Sequence, residues 1–185
     1  MNSKIGIGIA GLGTVGEGFL KQLKKYKTSN KKTSNFELIN IAVKNLRKKR
    51  NVATKNLPLI KDTLSLASNP KIDIVIELIG GSSGVAYKLV KKSLMNGKSI
   101  ITANKALLAI HGNELIKIAE KNNCFISFEA AIAGGIPVVK AIRENLKFNE
   151  ITKVYGILNG TCNYILTKME TEGKDFNSVL KDAQN

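Results

Sequence analysis

Residues 4–16 read KIGIGIAGLGTVG. Isoleucines alternate with small residues up to Ala10, which predicts a buried strand, and apolar residues at helical spacing then follow over about 13–25. The intervening G-x-G-x-x-G pattern permits a tight turn, close approach of a pyrophosphate and close helix–strand packing, and the helix N-terminus offers free N–H groups. The alternative is that the glycines serve packing alone. The pattern predicts a dinucleotide site whose residues are Gly11, Gly13, Thr14, Val15 and Gly16.

Strands and helices continue to alternate along the chain up to about residue 130. Alternation of this kind, with helices of 10–15 residues, is typical of a parallel sheet with crossover helices. We therefore predict an α/β fold in which residues 1–130 form a Rossmann-type, doubly wound NAD(P)-binding domain. The predicted strands are 4–10, 36–43, 72–80, 98–102 and 124–130, and the predicted helices are 13–25, 61–68, 84–96 and 111–122.

The pattern changes over residues 131–185. A Gly pair and Pro137 precede a predicted helix at 137–147, and a β-type run follows at 153–158. One strand with two or three helices cannot complete a sheet layer. We therefore expect an incomplete α/β domain, with further helices after Asn159-Gly160 and after Asp175, a candidate N-cap.

The end of the second predicted strand indicates which dinucleotide binds. NAD sites usually place an acid there for the ribose 2′-hydroxyl, whereas a 2′-phosphate needs cations. Residues 44–50 read KNLRKKR and contain no acid. The sequence thus favours NADP(H) over NAD(H), with Lys44 and one residue of 47–50 as phosphate partners. The alternative for any one of these residues is an exposed charge.

Composition limits the function classes. The chain has 185 residues, a net charge of +15 and 43% apolar residues. Apolar runs are too short for a membrane helix and no leader pattern begins the chain, so we expect a cytoplasmic protein. The positive charge makes nucleic-acid binding a possible function. However, only three of the basic residues are arginine and only 5% of residues are aromatic, which disfavours a base-stacking surface. Cys124 and Cys162 lack metal-type spacing and are expected to be reduced packing residues.

Four further blocks resemble the homoserine dehydrogenase family. They are DIVIELIGG (73–81), GKSIITANKALLA (97–109), FEAAIAGGIPVVKAIRENL (128–146) and GILNGTCNYILTKM (156–169). The resemblance implies NAD(P)H-dependent reduction of L-aspartate 4-semialdehyde to L-homoserine, on the route to threonine and methionine. It also implies a Rossmann domain, a dimerisation region, a catalytic α/β domain and a homodimeric full-length form. Residues 131–185 are then the start of an incomplete α/β substrate and dimerisation domain.

The resemblance assigns roles to single residues. Lys105 is expected beside the nicotinamide and the substrate, where an ammonium can polarise a carbonyl or exchange a proton with it. Gly80 is expected at the edge of the cofactor, and Gly160 and Thr161 are expected to face homoserine. The alternatives are a surface lysine and an ordinary helix cap. The resemblance further implies a sodium site formed by oxygens of Glu129, Ile132, Gly134 and Ile136.

Two neighbouring residues carry no such role. Asn104 is expected to hold the turn before Lys105. His111 is expected at a helix start, in a capping or surface position rather than a catalytic one.

Family members continue past Ala183-Gln184 with a substrate-binding Glu, Asp residues and a second lysine that donates the proton. The resemblance therefore implies an N-terminal fragment that is inactive by itself. Two other functions stay open at this point. One is another NADP-dependent semialdehyde or imino-acid reductase, and the other is a non-catalytic nucleotide- or nucleic-acid-binding module.

Overall fold

The computed structural model describes residues 4–29, 35–132, 134–157 and 160–184. The chain divides into two compact units, Met1–Ala131 and Ile132–Asn185. The described residues of the first unit form six β-strands and four α-helices, and the unit ends in a 3₁₀ turn, Glu129–Ala131. Its strands are β1 Ile5–Ala10, β2 Phe36–Ala42, β3 Leu59–Ile60, β4 Ile74–Glu77, β5 Ser99–Thr102 and β6 Ile126–Ser127, and its helices are α1 Thr14–Ser29, α2 Ser65–Ser68, α3 Gly84–Met95 and α4 Lys105–Lys121.

The six strands form one parallel sheet in the order β3-β2-β1-β4-β5-β6. The chain moves outward from β1 to β3 and then crosses back to place β4 beside β1, which is the Rossmann order with its switch point between β1 and β4. The register pairs Ala10 with Glu77 and Glu77 with Thr102, so the carboxyl ends of β1, β4 and β5 lie together. The predicted doubly wound α/β fold is confirmed.

The sheet is covered on both faces. Val75 packs with α2, α3 and α4, whereas its neighbour Ile76 belongs to a second cluster with Leu12 and with Leu20 of α1. Successive side chains of a strand point to opposite faces, so a strand buried on both sides is apolar throughout. This is why the run 72–80 predicts a strand so clearly, although the strand itself is shorter, Ile74–Glu77.

Several predicted boundaries in the first unit are wrong. Helix α4 begins at Lys105 rather than at 111, because the Asn104 side chain accepts a hydrogen bond from the Leu107 amide and caps the helix. Strand β3 was not predicted, since two residues show no periodicity. Helix α2 is shorter than predicted, and α1 continues into the expected 28–35 loop. Residues 30–34 of that loop lie outside the described residues.

All regular secondary structure in the described part of the second unit is helical. Helix α5, Val138–Lys140, continues into a π-helical turn, Ala141–Asn145, and α6 Gly160–Glu172 and α7 Phe176–Gln184 pack through the buried Ile165 and Val179. Asp175 caps α7 as predicted, since its Oδ1 accepts from the Asn177 and Ser178 amides.

The strand predicted at 153–158 is not found, because residues 151–157 form neither helix nor strand. Residue 158 lies outside the described residues. A β-type run needs a neighbouring strand to satisfy its backbone, and the described residues of this unit contain none. None of the helices described in either unit has the length and apolarity needed to cross a membrane.

Candidate cofactor and substrate site

The three glycines of the G-x-G-x-x-G turn have different structural roles. Gly11 has a φ of +100°, and a Cβ there would lie 2.6 Å from the Leu78 carbonyl oxygen. A Cβ on Gly16 would lie 2.6 Å from the Gly11 carbonyl oxygen. A Cβ on Gly13 would meet no atom within 4 Å. The turn itself therefore requires Gly11 and Gly16, whereas Gly13 borders open space.

That open space is a cleft of about 1060 Å³ at the carboxyl edge of the sheet. It lies beside the switch point between β1 and β4, where ligands of doubly wound folds bind. Helix α1 begins at Thr14, and the amides of its first turn have no partner within the helix. The lining residues are Gly11, Leu12, Gly13, Ala42, Val43, Lys44, Asn45, Leu46, Arg47, Lys48, Arg50, Lys61, Thr63, Leu78, Ile79 and Val85.

The lining of the cleft is strongly basic. Five of its described residues are lysine or arginine and none is acidic. Arg50 differs from the others because its guanidinium donates to the carbonyl oxygens of Lys48 at 2.9 Å and of Asn45 at 2.7 Å, and so braces the loop. Lys44, Arg47 and Lys48 form no ion pair within the described chain. Of the predicted phosphate partners, these three remain available to an anion.

A buried polar network closes the edge of the sheet beside the cleft. The fully buried Glu77 accepts hydrogen bonds from the amides of Ile79 and Gly80 and from the Thr102 hydroxyl. Thr102 Oγ1 in turn accepts from the Asn104 amide at 3.0 Å. The Asn104 side chain, besides capping α4, donates to the Gly81 carbonyl oxygen at 2.7 Å. Asn104 holds its turn, as expected, and also joins the ends of β4 and β5.

Lys105 is exposed as the first residue of α4. No acid stands in the first turn of this helix, and a cation at a helix N-terminus faces the positive end of the helix dipole. Helix stability therefore does not account for a lysine here. Gly80, with a φ of +85°, follows Ile79 of the cleft lining. Neither Gly80 nor Lys105 lines the cleft itself.

The predicted substrate residues lie in the second unit. Gly160 and Thr161 are exposed in the first turn of α6. The preceding Asn159 lies outside the described residues.

The predicted sodium ligands are divided between the units. Glu129 begins the 3₁₀ turn that ends the first unit, and Ile132, Gly134 and Ile136 belong to the second. The described residues hold no cluster of three or more His, Cys, Asp or Glu suited to a metal ion. A cation here could be bound by the Glu129 carboxylate and by backbone carbonyls of the other three residues, both of which hard cations accept.

His111 does not lie at a helix start. It falls within α4, where its ring lies 4.2 Å from that of Tyr87 and its Nδ1 lies 3.7 Å from Glu114. Cys124 is partly buried, and burial raises the pKa of its thiol. Cys162 is exposed rather than packed, and neither cysteine is in a disulfide.

Family models identify both parts of the chain. Residues 11–129 match the homoserine dehydrogenase NAD-binding domain, and residues 137–185 match the homoserine dehydrogenase model. The chain belongs to the homoserine dehydrogenase family. Neither another semialdehyde or imino-acid reductase nor a nucleic-acid-binding module would be expected to match over 137–185.

Curated relatives of this chain are also homoserine dehydrogenases. The chain is 44% identical over 180 residues to a homoserine dehydrogenase of Pseudomonas aeruginosa and 40% identical over 183 residues to that of Bacillus subtilis. It covers 41% and 42% of those proteins, which in turn match 96% and 98% of this chain. The chain thus spans about two fifths of the length of these curated relatives.

A crystal structure of a homoserine dehydrogenase from Thiobacillus denitrificans has a TM-score of 0.84 and 43% identity, over 98% of this chain and 42% of that one. A hyperthermophilic archaeal homoserine dehydrogenase in complex with NADPH has a TM-score of 0.76 and 26% identity, over 98% of this chain and 60% of that one.

Sequence reasoning missed the Glu77–Thr102 hydrogen bond and the contribution of Lys61 to the cleft. Glu77 had a visible signal, since it is the one acid inside the apolar run 74–79. Lys61 had none, because β3 is too short to recognise and only the sheet order places its end beside β2.

Proposed function

We propose that this chain provides the NADP(H)-binding domain and part of the substrate site of a homoserine dehydrogenase. The reaction interconverts L-homoserine and L-aspartate 4-semialdehyde. The main observation in support of this proposal is the acid-free, basic cleft beside Gly13 at the switch point of the sheet. A nicotinamide dinucleotide fits this cleft, because Gly13 leaves room for a pyrophosphate and α1 presents free amides to it.

The cations beside β2 support a preference for NADP(H) over NAD(H). A 2′-phosphate adds negative charge at the end of β2, where Lys44, Arg47 and Lys48 line the cleft. Charge-assisted hydrogen bonds to phosphate are among the stronger polar contacts in proteins. The similarity to an archaeal homoserine dehydrogenase in complex with NADPH points in the same direction.

Lys105 is the proposed catalytic residue in this chain. When bound, the nicotinamide supplies or accepts the hydride at the substrate carbon. The substrate oxygen becomes more negative as an aldehyde is reduced, and an ammonium near it stabilises that charge or exchanges a proton with it. Lys105 suits this role because it begins α4 at the carboxyl edge of the sheet and is exposed.

The remaining site assignments rest on the family resemblance. Gly160 and Thr161 would offer helix N-terminal amides and a hydroxyl to the carboxylate of the substrate. Glu129, Ile132, Gly134 and Ile136 would surround a sodium ion. Residues 132 and 134–137 form neither helix nor strand, so their carbonyl oxygens are not used in the regular hydrogen bonds of such elements. The domain division at 130, homodimerisation and cytoplasmic location stay predictions.

Titration of the purified chain with NADPH and NADH, followed by nicotinamide fluorescence, tests the proposal. We expect saturable binding of both cofactors, with NADPH bound at least about tenfold more tightly, because charge-assisted contacts to the 2′-phosphate are lost with NADH. Equal affinities would contradict the phosphate role of Lys44 and its neighbours. Absence of binding to either cofactor would contradict the proposed function as a whole.

A further inference from the structure

Glu77 is a buried carboxyl group that no cation accompanies in the described chain. Its Oε1 accepts from the amides of Ile79 at 2.7 Å and Gly80 at 3.1 Å, and its Oε2 accepts from Thr102 Oγ1 at 2.6 Å. All three partners are donors, which is the pattern that an ionised carboxylate satisfies. Burial of such a group costs stability unless hydrogen bonds offset it, so packing alone gives no reason for a carboxylate here. A role besides packing is therefore indicated.

One branch of the network holds the wall of the cleft. The two amides that Glu77 binds belong to the loop after β4, in which Gly80 and Gly81 have φ angles of +85° and +82°. Ile79 lines the cleft. Glycine is conformationally permissive, so this loop needs external contacts to keep one shape. Glu77 supplies two of them, and the Asn104 side chain supplies a third at the Gly81 carbonyl oxygen.

The other branch reaches the start of α4. Because Thr102 Oγ1 accepts from the Asn104 amide, its own proton is directed to Glu77. The Asn104 side chain then accepts from the Leu107 amide at 3.1 Å and caps the helix that begins at Lys105. Three consecutive hydrogen bonds thus run from the Glu77 carboxylate to the first turn of α4.

The sheet order indicates which half of a dinucleotide these groups face. The basic loop after β2 lies on one side of the β1/β4 switch point and suits the adenosine half. The other half then extends over the ends of β4 and β5, where the 79–81 loop and Lys105 lie.

We propose that Glu77 is a positioning residue which, through Thr102 and Asn104, holds the 79–81 loop and Lys105 in a fixed relation around the nicotinamide half of the cofactor. This inference rests on the proposed function. Precise placement matters because misplacement of about 1 Å can cost roughly a hundredfold in rate.

The substitution Thr102→Val tests the inference, since it removes one hydroxyl and keeps a β-branched side chain. We expect NADPH binding to weaken about tenfold, because a hydrogen bond to a charged group is lost. Binding of adenosine 2′,5′-bisphosphate, which lacks the nicotinamide half, should stay within about twofold of wild type. General damage to the fold would weaken both ligands alike.

A second measurement needs no cofactor. Hydrogen exchange of the Gly80 and Leu107 amides should quicken about tenfold in Thr102→Val, because both depend on the network for protection. Thr102→Ser should restore both readouts. The matched control is Ser99→Ala, which removes a hydroxyl from the opposite end of the same strand, where Ser99 Oγ accepts from the Phe125 amide. This variant should leave NADPH affinity unchanged.

The inference is overturned if Thr102→Val binds NADPH like wild type, or if it weakens both ligands equally. It is also overturned if the two amides exchange as in wild type. Failure of the wild-type chain to bind NADPH would instead refute the proposed function, and the exchange measurement would still decide whether Glu77 holds both segments.

Discussion

The two edges of the parallel sheet differ in whether their polar side chains have partners within the protein. At the amino edge, Asp73 Oδ2 accepts from the Gly6 amide at 2.6 Å, and Lys98 Nζ donates to the carbonyl oxygens of Asn69 and Ile72. At the carboxyl edge, Lys44 and its basic neighbours line an open cleft and pair with no acid in the described chain. Polar groups at the first edge satisfy one another, whereas the cations at the second edge face open space.

The charges at the amino edge therefore have a structural role. Lys98 is 7% exposed, and burial lowers the pKa of its ammonium while the charge of Asp73 acts in the opposite direction. Glu77 and Thr102 are the exception at the carboxyl edge, because they are satisfied and buried there. They are the buried, hydrogen-bonded part of the carboxyl edge, next to the open cleft.

Gly13→Val should cause the largest loss of cofactor binding at the carboxyl edge. The side chain would enter the open space beside the turn, so we expect NADPH affinity to fall at least about a hundredfold because the pyrophosphate loses its place. The thermal midpoint should change little, since a Cβ at this position meets no atom within 4 Å.

Gly18→Val is the matched control for this substitution. Gly18 is exposed in α1, a Cβ there also meets no atom within 4 Å, and it does not line the cleft. This variant should bind NADPH like wild type in a fluorescence titration. Equal affinity loss in both variants would argue against a pyrophosphate beside Gly13.

Lys98→Met should damage only the amino edge. The substitution leaves two carbonyl oxygens without their donor, and we expect the free energy of unfolding to fall by about 2 kcal/mol. Urea denaturation measures this loss. NADPH affinity, measured at a temperature where the variant is folded, should stay within about twofold of wild type, and a larger change would show that the edges are not independent.

Lys44→Ala tests whether the basic loop after β2 recognises the 2′-phosphate of NADPH. Loss of a contact to the 2′-phosphate should weaken NADPH about tenfold and leave NADH affinity nearly unchanged. Lys88→Ala, in which an exposed lysine of α3 is removed, makes the same change in net charge and should affect neither cofactor. If Lys88→Ala weakens NADPH equally, the preference reflects overall charge rather than the loop.

The smallest effect is expected at the proposed sodium site. Replacing KCl with NaCl at equal ionic strength should raise the thermal midpoint of the wild-type chain by about 1–2 °C, because an ion that binds only the folded state stabilises it. Glu129→Gln should remove the difference between the two salts. An identical midpoint in both salts for the wild-type chain would contradict a sodium site.

Local sequence alone determined the glycine turn and the presence of most strands and helices of the first unit, but not β3 or the start of α4. Strands buried on both faces are continuously apolar, and a G-x-G-x-x-G turn between a strand and a helix has few alternatives, so both are visible in a window of about ten residues. The same holds for the basic loop after β2, which is a run of neighbouring residues. The blocks after residue 72 also sufficed to predict the family.

Only the tertiary structure decided which separated groups meet. Lys61 joins the cleft, and Glu77 binds Thr102, because parallel strands place their carboxyl ends at one edge although the residues are far apart in the chain. The run 151–157 shows the converse: its β-type sequence forms no strand, because a strand needs a partner for its backbone groups. Local pattern specifies what a segment favours, and long-range pairing decides whether that preference is met.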